Sequence, residues 1–203
     1  MTDSRLFTEP VLVVNQKAKL IELTNEYAVC NEAGEQLGAV RQVGQSKARK
    51  VLRALTSVDQ FLTTKLEVVD ADGVVQLALT RPAKLVKSKV LVHTGDGRAL
   101  GSIVQQNAIG KIRFDLIDAN GQTHGTIAAE NWRAWNFSIT DAQGVEVARI
   151  TKTWEGLAKT MFTTADNYVV QIHSPLSEPL RSLVVASSLA VDTALKQDSR
   201  GLS

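Results

Sequence analysis

One cysteine, Cys30, stands alone in 203 residues. An internal disulfide framework is therefore excluded, and a reducing compartment suits the chain. The three histidines, His93, His124 and His173, are scattered, without the paired spacing of a metal-binding segment. No hydrophobic run is long: Leu183 to Leu195 is the longest apolar stretch, well short of the roughly 20 residues that span a bilayer. The N-terminal Met1-Thr2-Asp3-Ser4-Arg5 is polar and no apolar region follows it, so a secretory signal is not expected. A large charge of either sign is also missing. The net value is +2 with a pI near 8.7, too mild to imply nucleic acid as a partner. These absences suit a soluble cytoplasmic domain without a transmembrane span.

Catalytic signatures are equally sparse. Gly95-Asp96-Gly97-Arg98-Ala99-Leu100-Gly101 looks like a phosphate loop but lacks the lysine and following helix that such a loop needs. Asp70-Ala71-Asp72-Gly73 brings its glycine too early for a calcium loop,. No serine elbow and no Cys–His arrangement is present. An enzyme is not expected, and no cofactor is implied.

What the sequence does contain is a repeated local unit. A β-branched, apolar run ends in a polar residue, two further residues follow, then glycine, then a second run. The units are Tyr27 to Gly34, Leu66 to Gly73, Val90 to Gly97, Phe114 to Gly121 and Phe137 to Gly144. Asn or Asp can bond the backbone two residues on, and glycine supplies the positive φ of a hairpin turn. Flanking runs such as Ile112 to Ile117 and Val145 to Ile150 alternate with period two, as strands with one wet face do. A repeat near 24 residues is too short for a propeller blade of roughly 40. Further strands are expected at Val11 to Val14, within Leu20 to Val29, and at Tyr168 to Ile172.

The chain changes character at Ser177-Glu178-Pro179, a helix start with a capping serine, an early acid and a first-turn proline,. Beyond it Leu183, Val184, Val185, Ala186, Leu189, Ala190, Val191, Ala194 and Leu195 cover the whole circumference of a helix, which marks burial on all sides. A helix apolar all round, after a series of hairpins, asks for a sheet closed around it, and closure also removes exposed strand edges. The expectation is a mainly β protein, a closed antiparallel barrel around a buried C-terminal helix. Residues 9–196 form one domain, with a basic insertion at 44–59, the helix at about 178–196, and tails at 1–8 and 197–203.

The C-terminal third resembles a known family. Val147-Ala148-Arg149-Ile150-Thr151-Lys152-Thr153-Trp154-Glu155-Gly156, then Phe162-Thr163-Thr164-Ala165-Asp166-Asn167-Tyr168-Val169-Val170-Gln171-Ile172, then an apolar helix carrying Asp192, is similar to the end of the phospholipid scramblases. Phe137-Ser138-Ile139-Thr140-Asp141-Ala142-Gln143-Gly144 matches the hairpin before it. The resemblance runs over Trp132 to Leu195, and as pattern from Phe7 onward. It implies the Tubby-like superfamily, which includes the LURP-one-related proteins, and hence about twelve strands around a central helix. It also implies an acidic calcium segment beginning at Thr164, where this chain departs. Asp166 and Asn167 remain, but the leading acid is a threonine and residues around Ser174 to Ser177 replace the later acids. Calcium needs six to eight oxygens, several from carboxylates, so calcium is not expected to bind.

The best candidate site is basic. No acid occurs between Glu35 and Asp59, while Arg41, Lys47, Arg49, Lys50 and Arg53 do, with Val51, Leu55 and Val58 at helical spacing. Basic amphipathic segments bind anionic membranes; a solvated surface helix over a barrel end is the plainer reading. Val74 to Gly95 is also free of acids and holds Arg81, Lys84, Lys87 and Lys89 around Pro82. The two stretches could join in one basic face. Asp192 must be paired, protonated or near the barrel mouth, and Trp132, Trp135 and Trp154 fit wall or rim packing. The expected function is binding of anionic phospholipid at the inner face of the plasma membrane, without translocation, since a lumen filled by its own helix leaves no path for a headgroup. The alternative is a soluble module that contacts protein partners.

Overall fold

The computed structural model describes residues 4–15, 26–44, 63–82, 87–107, 112–131, 136–152 and 167–198, the side chains of 26, 131, 167 and 190–198 excepted. Twelve strands close into an antiparallel barrel: β1 (Val11–Asn15), β2 (Glu26–Cys30), β3 (Gln36–Val43), β4 (Thr64–Asp70), β5 (Val75–Arg81), β6 (Lys89–Thr94), β7 (Ala99–Gln105), β8 (Arg113–Asp118), β9 (Thr123–Asn131), β10 (Asn136–Asp141), β11 (Glu146–Thr151) and β12 (Asn167–Ile172). Each strand pairs with its sequence neighbours. β1 closes the ring against β12, with Val11 opposite Gln171 and Asn15 opposite Asn167. The closed mainly β barrel expected from the hairpin pattern is the fold found.

The five glycine turns share one geometry. Gly34, Gly73, Gly97, Gly121 and Gly144 have φ between 80 and 89°, where side chains other than glycine are strained. Each donates its amide to the carbonyl three residues earlier, as Gly73 does to Asp70 at 3.0 Å. The polar residue opening the turn then holds it. Asp70 Oδ1 accepts the amides of Asp72 and Val74, Asp118 Oδ1 those of Asn120 and Gln122, and Asp141 Oδ1 those of Gln143 and Val145. Thr94 Oγ1 does the same for Arg98 and Asn31 Oδ1 for Glu35. The pairing slips by one residue just before every turn, for example between Val68 and Val69, as a bulge beside a left-handed glycine requires.

Inward residues alternate along the strands, among them Leu77 and Leu79 on β5, Phe114 and Leu116 on β8, and Phe137 and Ile139 on β10, all buried. They pack on α1 (Leu180–Asp198), whose Leu183, Val184, Val185, Ala186 and Leu189 are buried. Three boundaries differ from the sequence expectation. The helix begins two residues later than 178 and ends two later than 196, and in its first turn the Ser177 carbonyl accepts the Arg181 amide at 3.0 Å while the Glu178 carboxylate accepts the Ser182 amide at 3.3 Å. The glutamate side chain is long enough to reach one turn ahead. The segment 1–8 is not wholly a tail either. A 3-10 helix, η1 (Arg5–Phe7), buries Leu6 and Phe7 against α1 and β3. Gly38 gives it room, since a Cβ there would lie 2.1 Å from the Val69 carbonyl oxygen and 3.1 Å from Leu6.

Candidate functional site

Strict hairpin order gives the barrel two unlike ends. All five glycine turns lie at one end, together with η1 and the start of α1, where Arg181 sits 5.9 Å from the Phe7 ring centroid. Every other connection leaves from the opposite rim, where β1, β3, β5, β7, β9 and β11 end. α1 runs about 28 Å at 1.5 Å per residue, enough to carry its C-terminal part from the turn end to that rim.

Charge follows this division. Residues 4–10, 31–35, 70–74, 94–98, 118–122, 141–145 and 173–179 form the turn end and hold nine Asp or Glu against two Lys or Arg. The connections anchored at the opposite rim, 16–25, 44–63, 82–88, 106–112, 132–135 and 152–166, hold in sequence twelve Lys or Arg against four Asp or Glu. A net +2 sequence therefore divides its charge unevenly between the two sets of connections.

Both acid-free connections start and finish on strands that end at this rim. One bridges β3 and β4 and the other β5 and β6, four neighbouring strands. Individual cations fare differently. Arg41, on β3, is half-buried and pairs with Glu67 of β4 at 2.8 Å. Lys87 and Lys89 are exposed, with Lys87 Nζ donating to the Gln106 carbonyl at 2.6 Å. Arg81 does not join the outer face. It continues the inward row of Leu77 and Leu79, is only 6% exposed, and donates to Thr64 Oγ1 at 2.9 Å. The period-two alternation that turns Leu79 inward turns Arg81 inward as well, so this residue is withdrawn from the basic face. Lys47, Arg49, Lys50, Arg53 and Lys84 lie outside the described residues, as do Asp166, the three tryptophans, and the side chains of Asn167, Val191 and Asp192.

Three rim cations escaped the sequence reading: Lys65 near the start of β4, Arg113 at the start of β8 and Lys152 just after β11, all exposed. A usable signal existed. With turns alternating between the two ends, assigning each charge to the nearer end by strand parity places all three at the basic rim.

At the turn end three carboxylates are held in their ionised form by their neighbours. The Gln122 amide and then His124 hold the Asp118 carboxyl below its ordinary value, and the Thr94 hydroxyl does the same for Asp96. Arg5 lowers Glu35 through an ion pair at 2.6 Å. On the outer wall, Arg149 of β11 reaches Glu130 and Glu146, both at 2.7 Å, and the Asn136 side chain at 2.7 Å. Those bonds depress both carboxyls and keep the guanidinium charged. His173 adds a contact to Glu146 at 3.1 Å. Each group there is matched by an opposite partner, a strand-to-strand clasp. Among the described residues no group of three or more His, Cys, Asp or Glu could hold a metal. No helix among them is long and apolar enough to cross a membrane.

Comparison with known proteins places this geometry. Residues 4–195 match the family model described as Scramblase. The chain is similar to a phospholipid scramblase family protein of Schizosaccharomyces pombe, 25% identical over 186 residues, covering 83% of this chain and 48% of that protein. It is also similar to altered inheritance rate of mitochondria protein 25 of Saccharomyces cerevisiae, 22% identical over 200 residues, covering 83% of this chain and 60% of the relative. The chain thus spans about half to three-fifths of the length of these relatives. An X-ray structure of an Arabidopsis thaliana protein shares the fold with a TM-score of 0.55 at 13% identity, over 91% of this chain and 93% of that one.

Proposed function

The chain belongs to the Scramblase family, and from that premise we propose that it is a non-enzymatic lipid-binding protein docking on anionic phospholipid at the cytoplasmic membrane face through its basic rim. The observation that carries the reading is that the two acid-free connections are anchored on neighbouring strands, β3 to β6, at the same rim. Clustered cations near an anionic surface contribute about 1 kcal/mol each, so the arrangement suits a headgroup layer better than a single small ligand. The perturbed carboxylates support a binding role over catalysis, because each is committed to a turn or to an arginine. Translocation is not part of the proposal: α1 fills the lumen with Leu183, Val184, Val185 and Ala186, all at 0% exposure. No cofactor is assigned, and micromolar calcium is expected to leave conformation unchanged.

Co-sedimentation with neutral and anionic vesicles tests the reading. Binding to anionic vesicles alone, weakening steeply with salt, is the expected result. No binding to either would leave a soluble protein-contacting module as the better account.

A further inference from the structure

Described side chains alone carry the lipid reading one step further, to the pose of the protein on the surface. Lys65, Lys87, Lys89, Arg113 and Lys152 are exposed at one rim, on or beside β4, β6, β8 and β11. In a ring of twelve strands these positions spread over more than half the circumference. A flat surface can touch cations placed so widely only if it lies across the barrel axis. Around the other end, acids stand at every glycine turn: Glu32, Asp72, Asp96, Asp118 and Asp141 occupy five successive hairpins. Any side-on approach would press some of these against the anionic headgroups.

We infer that the barrel meets an anionic lipid surface end-on, axis upright, with the basic rim against the headgroups and the glycine turns and η1 facing away. The inference rests on the lipid reading above and adds the orientation. Distance makes the preference effective. A six-residue strand is about 20 Å long at 3.3 Å per residue, and a barrel tilt of about 40° leaves roughly 15 Å of height. That is about two Debye lengths at physiological salt. Upright, the acidic end is screened from the surface while the rim is in contact. Lying down, both ends fall within a Debye length, and attraction and repulsion largely cancel. Among these carboxylates the Gln122 amide, the Thr94 hydroxyl and Arg5 stabilise the ionised forms of Asp118, Asp96 and neighbouring Glu35, so that part of the repulsion persists at neutral pH.

The test places an environment-sensitive fluorophore at single cysteines in a Cys30→Ser background: Gln106→Cys at the rim, and Ala71→Cys or Ala142→Cys in the β4–β5 and β10–β11 turns. All three sites are exposed, and the two turns lie on opposite sides of the barrel. Vesicles of phosphatidylcholine with phosphatidylserine are the probe, with quenchers carried on lipid or in water. The expected result is a blue shift and several-fold lipid quenching at position 106, with both turn probes as open to aqueous iodide as in free protein. Lipid quenching at either turn probe as strong as at 106 overturns the upright pose while leaving lipid binding intact. If none of the three labelled proteins binds vesicles, the lipid reading falls and the pose falls with it.

Discussion

The two ends of the barrel are built by different rules. At the glycine-turn end every hairpin closes in the same few residues, with an Asp, Asn or Thr holding the turn amides and glycine at positive φ. Leu6 and Phe7 then stop the lumen. At the opposite rim the connections run from 4 residues, 132–135, to 20, 44–63. Tight turns leave little freedom in sequence, so their acids serve geometry. Long connections tolerate almost any composition and are where scaffolds carry binding residues. The same chain therefore holds a structural end and an end free to specialise, and charge separates along that line.

The largest expected effects come from breaking the core that joins the ends. Leu6→Ala at the stoppered end and Leu189→Ala on α1 each remove a buried leucine and are expected to lower stability by about 2–5 kcal/mol in denaturant melts. A Leu6 variant that melts like the parent would return residues 5–7 to the status of a tail. At the basic rim the expectation is reversed, with a loss of binding and no loss of stability. Replacing Lys47, Arg49, Lys50 and Arg53 together by Gln is expected to remove about 4 kcal/mol of anionic vesicle binding at about 1 per cation. The melting curve should barely move, since surface changes usually stay within about 0.5 kcal/mol each.

Much of this division can be read in the sequence. The turn glycines, the strands around them and the apolar helix follow from local rules, because each hairpin pairs its own two strands within fewer than 20 residues. What cannot be read locally depends on direction. Arg81 reads as a surface cation until the inward row of Leu77 and Leu79 shows where the next alternate residue points. Lys65, Arg113 and Lys152 are unremarkable along the chain and become a set only once strand parity brings their ends to one rim. Leu6 and Phe7 give no periodic signal in a three-residue helix, and their burial depends on a gap at Gly38 that only the folded sheet creates.

Smaller effects sharpen the contrast. Asp141→Ala removes the acceptor for two turn amides and is expected to lower stability by about 1–2 kcal/mol with vesicle binding unchanged. The smallest effect concerns the wall. Arg149 holds Glu130 and Glu146 below their ordinary value of 4.5. Groups with depressed folded values add stability above the unfolded value, and it is lost as pH falls through the folded one. Arg149→Gln should therefore be less stable than the parent at pH 7, with the gap closing in acid as pH falls through the depressed values of both carboxyls and they protonate. A gap independent of pH would mean that Arg149 acts by packing alone.

If the ends of the barrel, rather than net charge, govern binding, the same change in charge must act differently at each. Two triple variants each shift the net charge from +2 to −1 by removing or countering three positive charges. One replaces Lys65, Lys89 and Arg113 by Gln at the rim. The other introduces Ala71→Glu, Ala119→Glu and Ala142→Glu at the same position of three glycine turns, all exposed. Measured side by side on anionic vesicles at physiological salt, the rim variant is predicted to lose on the order of 3 kcal/mol of binding, while the turn variant binds like the parent. Equal losses in both would contradict the account.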